Sequence, residues 1–569
     1  MLFLAAPKKI CLAQAEAVQP DQLKQHYDAA DRYARAGDSD RAVAEYRLFL
    51  AGALHQIANG KAETGFFENA APLFEEALTL SPDDKSLRLD YAQASLDAGK
   101  LPDARRLVEG VLRSDTRNTH ARFLLGRVLY HLEDYNAAKT ELEAAVAANP
   151  DFDAGYLLGK TYLILHDDKQ AQTLFREMVA GLGDIALIHI FFGRAYTRMD
   201  YPDQAIEEFH KAIALDGRAP DAHYYLALAY LKHSETAGYA KAIPEFRAEL
   251  QINPDDVRSH YMLGYIARKQ RNFLDAEKEL GAAAALQPKN MDSLLELAEV
   301  YSDMNRPAEA ETALRKVIAL APANADNQVR ARQAHYLLGR LLLRTGRLDE
   351  AKNEISITAE MEKRPGARTE TDAEARTISS GSLAQQETPL NSDQTAAKSS
   401  SSAEVQQAED FKNRLSPAIA EVYNNLGVIS AGKHDFIAAS EFFERAATWN
   451  SQLGGLDRNR GMAAFYAEKF EKAVPPLERF MAVHPVDAAA SSVLAEAYFR
   501  VGKRQLETGT IEPAILSLKN AVRIAPARAE VHEELSRAYR LAGRAPEADR
   551  EMKLYETLKE KAPGSDAPK

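Results

Sequence analysis

His532-Glu533-Glu534-Leu535-Ser536 begins like the zinc motif HExxH, in which two histidines one helical turn apart hold the metal. Ser536 stands where the second histidine belongs, so one ligand is missing. Gly181-Leu182-Gly183-Asp184-Ile185-Ala186 formally matches the dinucleotide signature G-x-G-x-x-A. It follows a helical pattern rather than a strand, and so lacks the setting in which a helix N-terminus receives a phosphate. Neither a P-loop nor a G-x-S-x-G nucleophile turn occurs. His189, His223, His260, His335 and His532 each precede a small residue by four positions in a repeating pattern. A metal needs bonds of about 2 Å to each ligand. Equivalent residues of successive helical repeats stand roughly 8–10 Å apart, so one ion could not bridge them. The histidines are therefore expected to pack structurally. No catalytic residue, metal or cofactor is expected.

Composition narrows the classes further. The chain has 569 residues, too many for one ordinary core, and 83 acidic residues against 71 basic ones, for a net charge of −12. That balance argues against holding nucleic acid by counterion release over the whole surface. The single cysteine, Cys11, excludes disulfide frameworks and CxxC centres within one chain. No apolar run reaches about eighteen residues, so no transmembrane segment is expected. Ala13-Gln14-Ala15 fits the small-x-small pattern of a signal-peptidase site, although Pro7-Lys8-Lys9 interrupts the apolar stretch before it. Residues 1–20 are thus read as an export signal cleaved after Ala15, with its true start upstream of Met1, in a periplasmic or secreted bacterial protein. The alternative is a disordered N-terminus on a cytoplasmic chain.

The elements that carry these residues follow from self-similarity. Gly427, Ala439 and Phe443 have the form small-x11-small-x3-large. The same offsets link Gly126, Ala138 and Leu142, then Gly159, Ala171 and Phe175, then Gly193, Ala205 and Phe209. The second small residue recurs from Ala42 to Ala548, and seven of its thirteen steps are 34. Each unit splits into two amphipathic helices, such as Tyr423–Gly432 and Phe436–Asn450. Pro254, Pro288, Pro322, Pro485 and Pro526 follow apolar helical runs, where a helix should end. Small residues let two antiparallel helices close, the large residue fills the wedge, and each pair must stack on the next to bury its faces.

The 34-residue unit, with segments such as HYLLGRLLLRTGRLDEAKNEI (His335 to Ile355), resembles the tetratricopeptide repeat pattern. The resemblance implies an all-α fold, a right-handed α-solenoid (superhelix) of antiparallel helix pairs, about fourteen repeats in all. Ten fall in residues 21–363 and four in 409–560, separated by a disordered linker over 364–408 and followed by a tail over 561–569. The first repeat, whose step to the second is only 28, is expected to act as an N-terminal cap. Ser416-Pro417 looks like a helix start. Each of the two 41-residue steps is expected to carry one long protruding helix, and the 37-residue step a longer loop at His233–Ala242.

The resemblance also implies that the first helix of each pair lines a concave groove. One residue after the small position stand Arg127, Lys160, Arg194 and Arg340, and one turn further Arg198, Lys232, Lys269 and Arg344. Tyr224, Tyr261, Tyr265 and Tyr336 lie nearby, while Glu299 and Asp303 interrupt the row. The carboxylate clamp of chaperone-binding relatives is absent, since Leu157, Phe191, Tyr225, Met262 and Leu337 occupy its asparagine position. The expected function is a non-catalytic scaffold that binds a partner protein or an extended, acidic peptide in this groove. The alternative is a recruiting or regulatory subunit of an enzyme or secretion complex whose catalytic part is another chain.

Overall fold

The computed structural model describes residues 20–321, 325–362 and 402–561, which form 27 helices and no strand. The expected export signal, most of the expected linker and the tail lie outside the described residues. Two compact units are present. One runs from Val108 to the last described residue before the gap, Glu362; the other joins residues 20–107 to 402–561.

In the first unit the leading helices of successive pairs are α6 (Thr119–His131), α8 (Phe152–Ile164), α10 (Ala186–Arg198), α12 (Ala222–His233), α14 (Val257–Lys269), α16 (Met291–Asp303) and α18 (Ala325–Arg344). Their partners are α7 (Tyr135–Ala148), α9 (Asp168–Leu182), α11 (Pro202–Leu215), α13 (Glu235–Ile252), α15 (Phe273–Leu286), α17 (Pro307–Ala319) and α19 (Leu348–Glu362). The pair closes on the small residue of its first helix. A Cβ built on Gly193 would lie 2.6 Å from the Phe209 ring, and one on Gly126 would lie 2.6 Å from Leu142. The large residue therefore rests on the glycine of its own pair, and Ala171, Ala205 and Ala276 are wholly buried beside it. Side chains cap the helix starts: Asn118, Asp134, Asp151 and Asn290 accept backbone N–H bonds from the first turn. Helices end before Pro254, Pro288, Pro485 and Pro526 as expected; Pro322 lies outside the described residues.

The long helices are present but do not protrude. Both α18 and α24 (Ala488–Glu507) have 20 residues, and their extra turns precede the small residues Gly339 and Gly502. Those turns are packed: Arg330 grips Asp292 with two bonds of 2.5 and 3.0 Å, and Ala490, Val493 and Leu494 are buried. The 37-residue step adds no loop. Only Ser234 separates α12 from α13, and the extra residues lengthen α13 to 18 residues. Gly238 permits this, because a Cβ there would meet the Tyr230 carbonyl oxygen.

The second unit contains α1 (Pro20–Arg35), α2 (Ser39–Glu63), α3 (Phe67–Leu80), α4 (Lys85–Asp97) and the start of α5 (Leu101–Ser114). It continues with α20 (Ser402–Gly432), α21 (Phe436–Trp449), α22 (Leu456–Tyr466), α23 (Phe470–Val483), α24, α25 (Ile511–Ile524), α26 (Ala529–Leu541) and α27 (Ala545–Lys561). The first step is six residues short of 34 because the turn between two helices is missing. Ala42 and Ala58 lie on one continuous helix, the 25-residue α2. The first pair is no terminal cap, since α20 and α21 cover it. Tyr46, Phe49 and Leu50 share one core with Ile419, Val422, Tyr423, Leu426 and Phe443. The Tyr423 hydroxyl donates to Glu76 at 2.5 Å, Asn425 donates to the Tyr46 hydroxyl at 3.1 Å, and Lys433 pairs with Asp40 at 2.6 Å.

Pro417 does not start a helix; it lies inside α20. A proline in a helix interior costs about 3 kcal/mol, because it withholds an N–H and crowds the preceding turn. Phe411 and Leu415, on the turns before it, pack against the shared core, and burial of such side chains contributes up to roughly 1.5–3 kcal/mol each. Ser416 does not cap; its hydroxyl bonds the Lys412 carbonyl at 2.8 Å.

Three substitutions test this packing. Gly159→Ala, whose Cβ would overlap the Phe175 ring, should destabilise the first unit by about 1–3 kcal/mol. Gly281→Ala, with open space around its Cβ in α15, should stabilise it by about 0.5–1 kcal/mol in the same denaturation experiment. Phe49→Ala should cost about 3–5 kcal/mol, and hydrogen exchange should report the loss in residues 419–447, far away in sequence.

Candidate protein-binding face

Within the first unit the leading helices approach one another across pairs, α8 to α10, α10 to α12, α14 to α16 and α16 to α18. Among the described residues no partner helix approaches the next partner helix in the same way. Each pair is therefore a wedge, and the leading-helix face lies inside the curve.

The cations expected on this face divide by burial. Lys160 is only 2% exposed, with its ammonium 5.0 Å from the centre of the Tyr130 ring and 5.7 Å from that of Tyr156. Arg194 is half-buried between the rings of Phe191 and Tyr225, at 5.5 and 5.1 Å. Arg127 is half-buried over Phe123. Lys232 reaches back one repeat and donates to the Thr197 carbonyl at 2.5 Å, in the last turn of α10, where unsatisfied carbonyls favour a cation. Arg344 does the same for Ser302, at 2.9 Å, in the last turn of α16. Arg198, Lys269, Arg340 and Arg344 are exposed, Lys269 lying over the Tyr265 ring and Arg340 over the Tyr336 ring.

The tyrosines divide likewise. Tyr336 is 42% exposed and Tyr265 half-buried, so both stay on the face. Tyr224 and Tyr261, expected in the groove, are core residues instead: Tyr224 packs against Phe246 and lies under the Arg258 guanidinium, and burial pushes both phenols far up. Helical spacing puts them near the cations, but their direction along the helix turns them inward. In the ninth repeat, Glu296 and Glu299 hold Arg268 at 2.6 and 2.5 Å. Burial raises the Glu296 carboxyl despite that arginine.

The histidine row packs, and it also pairs. Nδ1 of His26, His189, His260, His335 and His532 lies 2.5–2.7 Å from a glutamate nineteen residues on, on the partner helix of the same pair. His223 meets Glu245, twenty-two residues on, in the repeat whose partner helix is extended. Arg122 takes the same role with Glu141 at 2.7 Å. The His-x18-Glu spacing was visible in the sequence, whereas the rings beneath the cations, Phe123, Tyr130, Phe191 and Tyr225, are marked by no motif. Among the described residues no group of three or more His, Cys, Asp or Glu could hold a metal ion, and no helix is long and apolar enough to cross a membrane.

Tetratricopeptide repeat profiles match residues 61–118, 95–161, 192–257, 235–291, 261–325, 295–352 and 458–505, more than half of the chain. The chain belongs to the tetratricopeptide repeat family. It is 23% identical over 339 residues to human "Protein O-mannosyl-transferase TMTC3", covering 54% of this chain and 36% of that protein. It is 25% identical over 256 residues to the "TPR repeat-containing protein YpiA" of Bacillus subtilis, covering 43% of this chain and 59% of that one. The chain thus spans only part of the length of either relative. Among solved structures, the anaphase-promoting complex hetero-tetramer Cut9-Hcn1 is 13% identical with a TM-score of 0.25, over 92% of this chain and 97% of that one.

The buried and exposed lysines should separate experimentally. Lys160→Met keeps most of the stem and removes the charge held between two rings; it should destabilise the first unit by about 1–2 kcal/mol. Lys269→Met, on the surface, should stay within about 0.5 kcal/mol when both are compared by denaturant midpoint.

Proposed function

We propose that this chain is a non-catalytic scaffold that holds a partner protein, or an extended acidic peptide, on the leading-helix face of residues 108–362. One observation supports the reading most directly. Arg198, Lys269, Arg340 and Arg344 stay exposed on the inner face, with Tyr265 and Tyr336 beside two of them, while the other cations of the row are drawn into the packing. Arginine and tyrosine suit such recognition, through charge-assisted bonds and rigid aromatic area. Tetratricopeptide families are mostly non-catalytic scaffolds and subunits of complexes. A second reading, favoured by the transferase named among the relatives, is a recruiting subunit whose catalytic part is a separate chain.

The test replaces Arg198, Lys269, Arg340 and Arg344 together by glutamate and compares capture from native extract with that of the unaltered chain, after circular dichroism has shown equal helicity. A partner held by the unaltered chain and lost by the variant is the expected result, and an enzyme as that partner selects the second reading. Equal capture by both chains refutes a role for this face.

A further inference from the structure

His189 and His223 occupy the same position in neighbouring repeats, and each ring has an acceptor at both nitrogens. His189 Nδ1 faces Glu208 on α11 at 2.5 Å, and its Nε2 faces Asp184, in the turn before α10, at 2.8 Å. His223 Nδ1 faces Glu245 on α13 at 2.6 Å, and the Gly217 carbonyl, in the turn before α12, takes a second bond. Carboxylate and carbonyl oxygens have no proton to give, and a neutral imidazole carries one N–H. Only the imidazolium satisfies both acceptors. Each ring then ties together three pieces of chain: its own helix, the partner helix, and the turn arriving from the previous repeat.

We propose that His189 and His223 are proton-dependent fasteners, which lock these two repeats when protonated and loosen them when the proton leaves.

The surrounding groups agree in sign. Burial of His189 by itself disfavours the charged ring, but its bonds to Glu208 and Asp184 outweigh that, and its proton affinity is raised. For His223 the bond to Glu245 is the largest influence and also raises it, with Glu249 adding to the same effect. Lys211 is the cation nearby: it bonds Glu208 at 2.9 Å and Glu207 at 2.8 Å, and the Glu208 carboxyl stays below its usual range. A histidine whose folded affinity is raised contributes its full stability below its unfolded value of about 6.5 and loses it as pH climbs through the folded value. The fastening is therefore present in mild acid and is lost as pH rises above the range in which an unfolded histidine gives up its proton.

The test uses the full chain with histidine labelled in ¹⁵N. At pH 6.5, where a free imidazole is about half protonated, the expected spectrum holds doubly protonated rings, two of which vanish in His189→Phe and His223→Phe; His260 and His532, which also have an acceptor at each nitrogen, account for other rings of this kind. In parallel, hydrogen exchange between pH 6.0 and 8.5, corrected for intrinsic rates, should show protection of α10–α13 falling by up to about tenfold per pH unit for each ring that loses its proton. Helices α16 and α17, whose repeat has Leu294 at the histidine position, should not follow. Glu208→Gln with Glu245→Gln keeps an acceptor at each ring but removes the charge, and should flatten the pH dependence in α10–α13. Neutral single-tautomer rings at His189 and His223 at pH 6.5 in the unaltered chain overturn the proposal. Protection of α10–α13 that is flat or rises with pH overturns it as well.

Discussion

Two helices in this chain can close only where one of them has almost no side chain to offer. Gly193 receives the Phe209 ring, Gly427 receives Phe443, and a single added carbon would sit 2.6 or 2.5 Å from the arriving ring. The contact sets the distance within each pair, and the alanine on the partner helix is buried by the same approach. Once the pairs are closed they are wedges, and stacking wedges turns every leading helix to the inside. The position of each cation and tyrosine follows from that one steric requirement, since the leading helix is where they reside.

That requirement is periodic, so it could be read from sequence. Offsets of 12 and 4 gave the helix pairs, and the prolines gave the helix ends. Ala58 and Gly502 fit the same offsets and mark the repeats that the short and long steps obscure. What stayed hidden depends on contacts between distant segments. Local chemistry at Ser416-Pro417 signals a helix start, yet a core made with α1 and α2 carries α20 straight through it. The extra residues of α18 signal an overhang, yet Arg330 finds Asp292 on a neighbouring leading helix, 38 residues back.

The candidate face was legible in outline and wrong in detail for the same reason. Helical spacing gathers twelve residues on one side of the leading helices, but spacing does not say which of them has a ring or a carbonyl within reach. Lys160 and Arg194 became packing elements because the neighbouring repeats offered aromatic faces. Lys232 became a cap because the last turn of α10 lay open beside it. A row of like charges on a stacked array is thus partly consumed by the array itself, and the glutamates opposite the histidines show the same economy on its other side.

The union of α2 with α20 and α21 has a consequence for synthesis. The first segment of the second unit ends at Leu107, and the described part of its partner segment begins only at Ser402. At about 5–20 residues per second, roughly 15–60 s pass on the ribosome before that partner emerges. Throughout that interval Tyr46, Phe49 and Leu50 are bare of the side chains that later bury them. The intervening repeats, needing only neighbours already made, can stack in chain order meanwhile. Nascent chains therefore carry an open apolar face near their leading end for most of their production, and a holding chaperone would find its target there rather than on the newest residues.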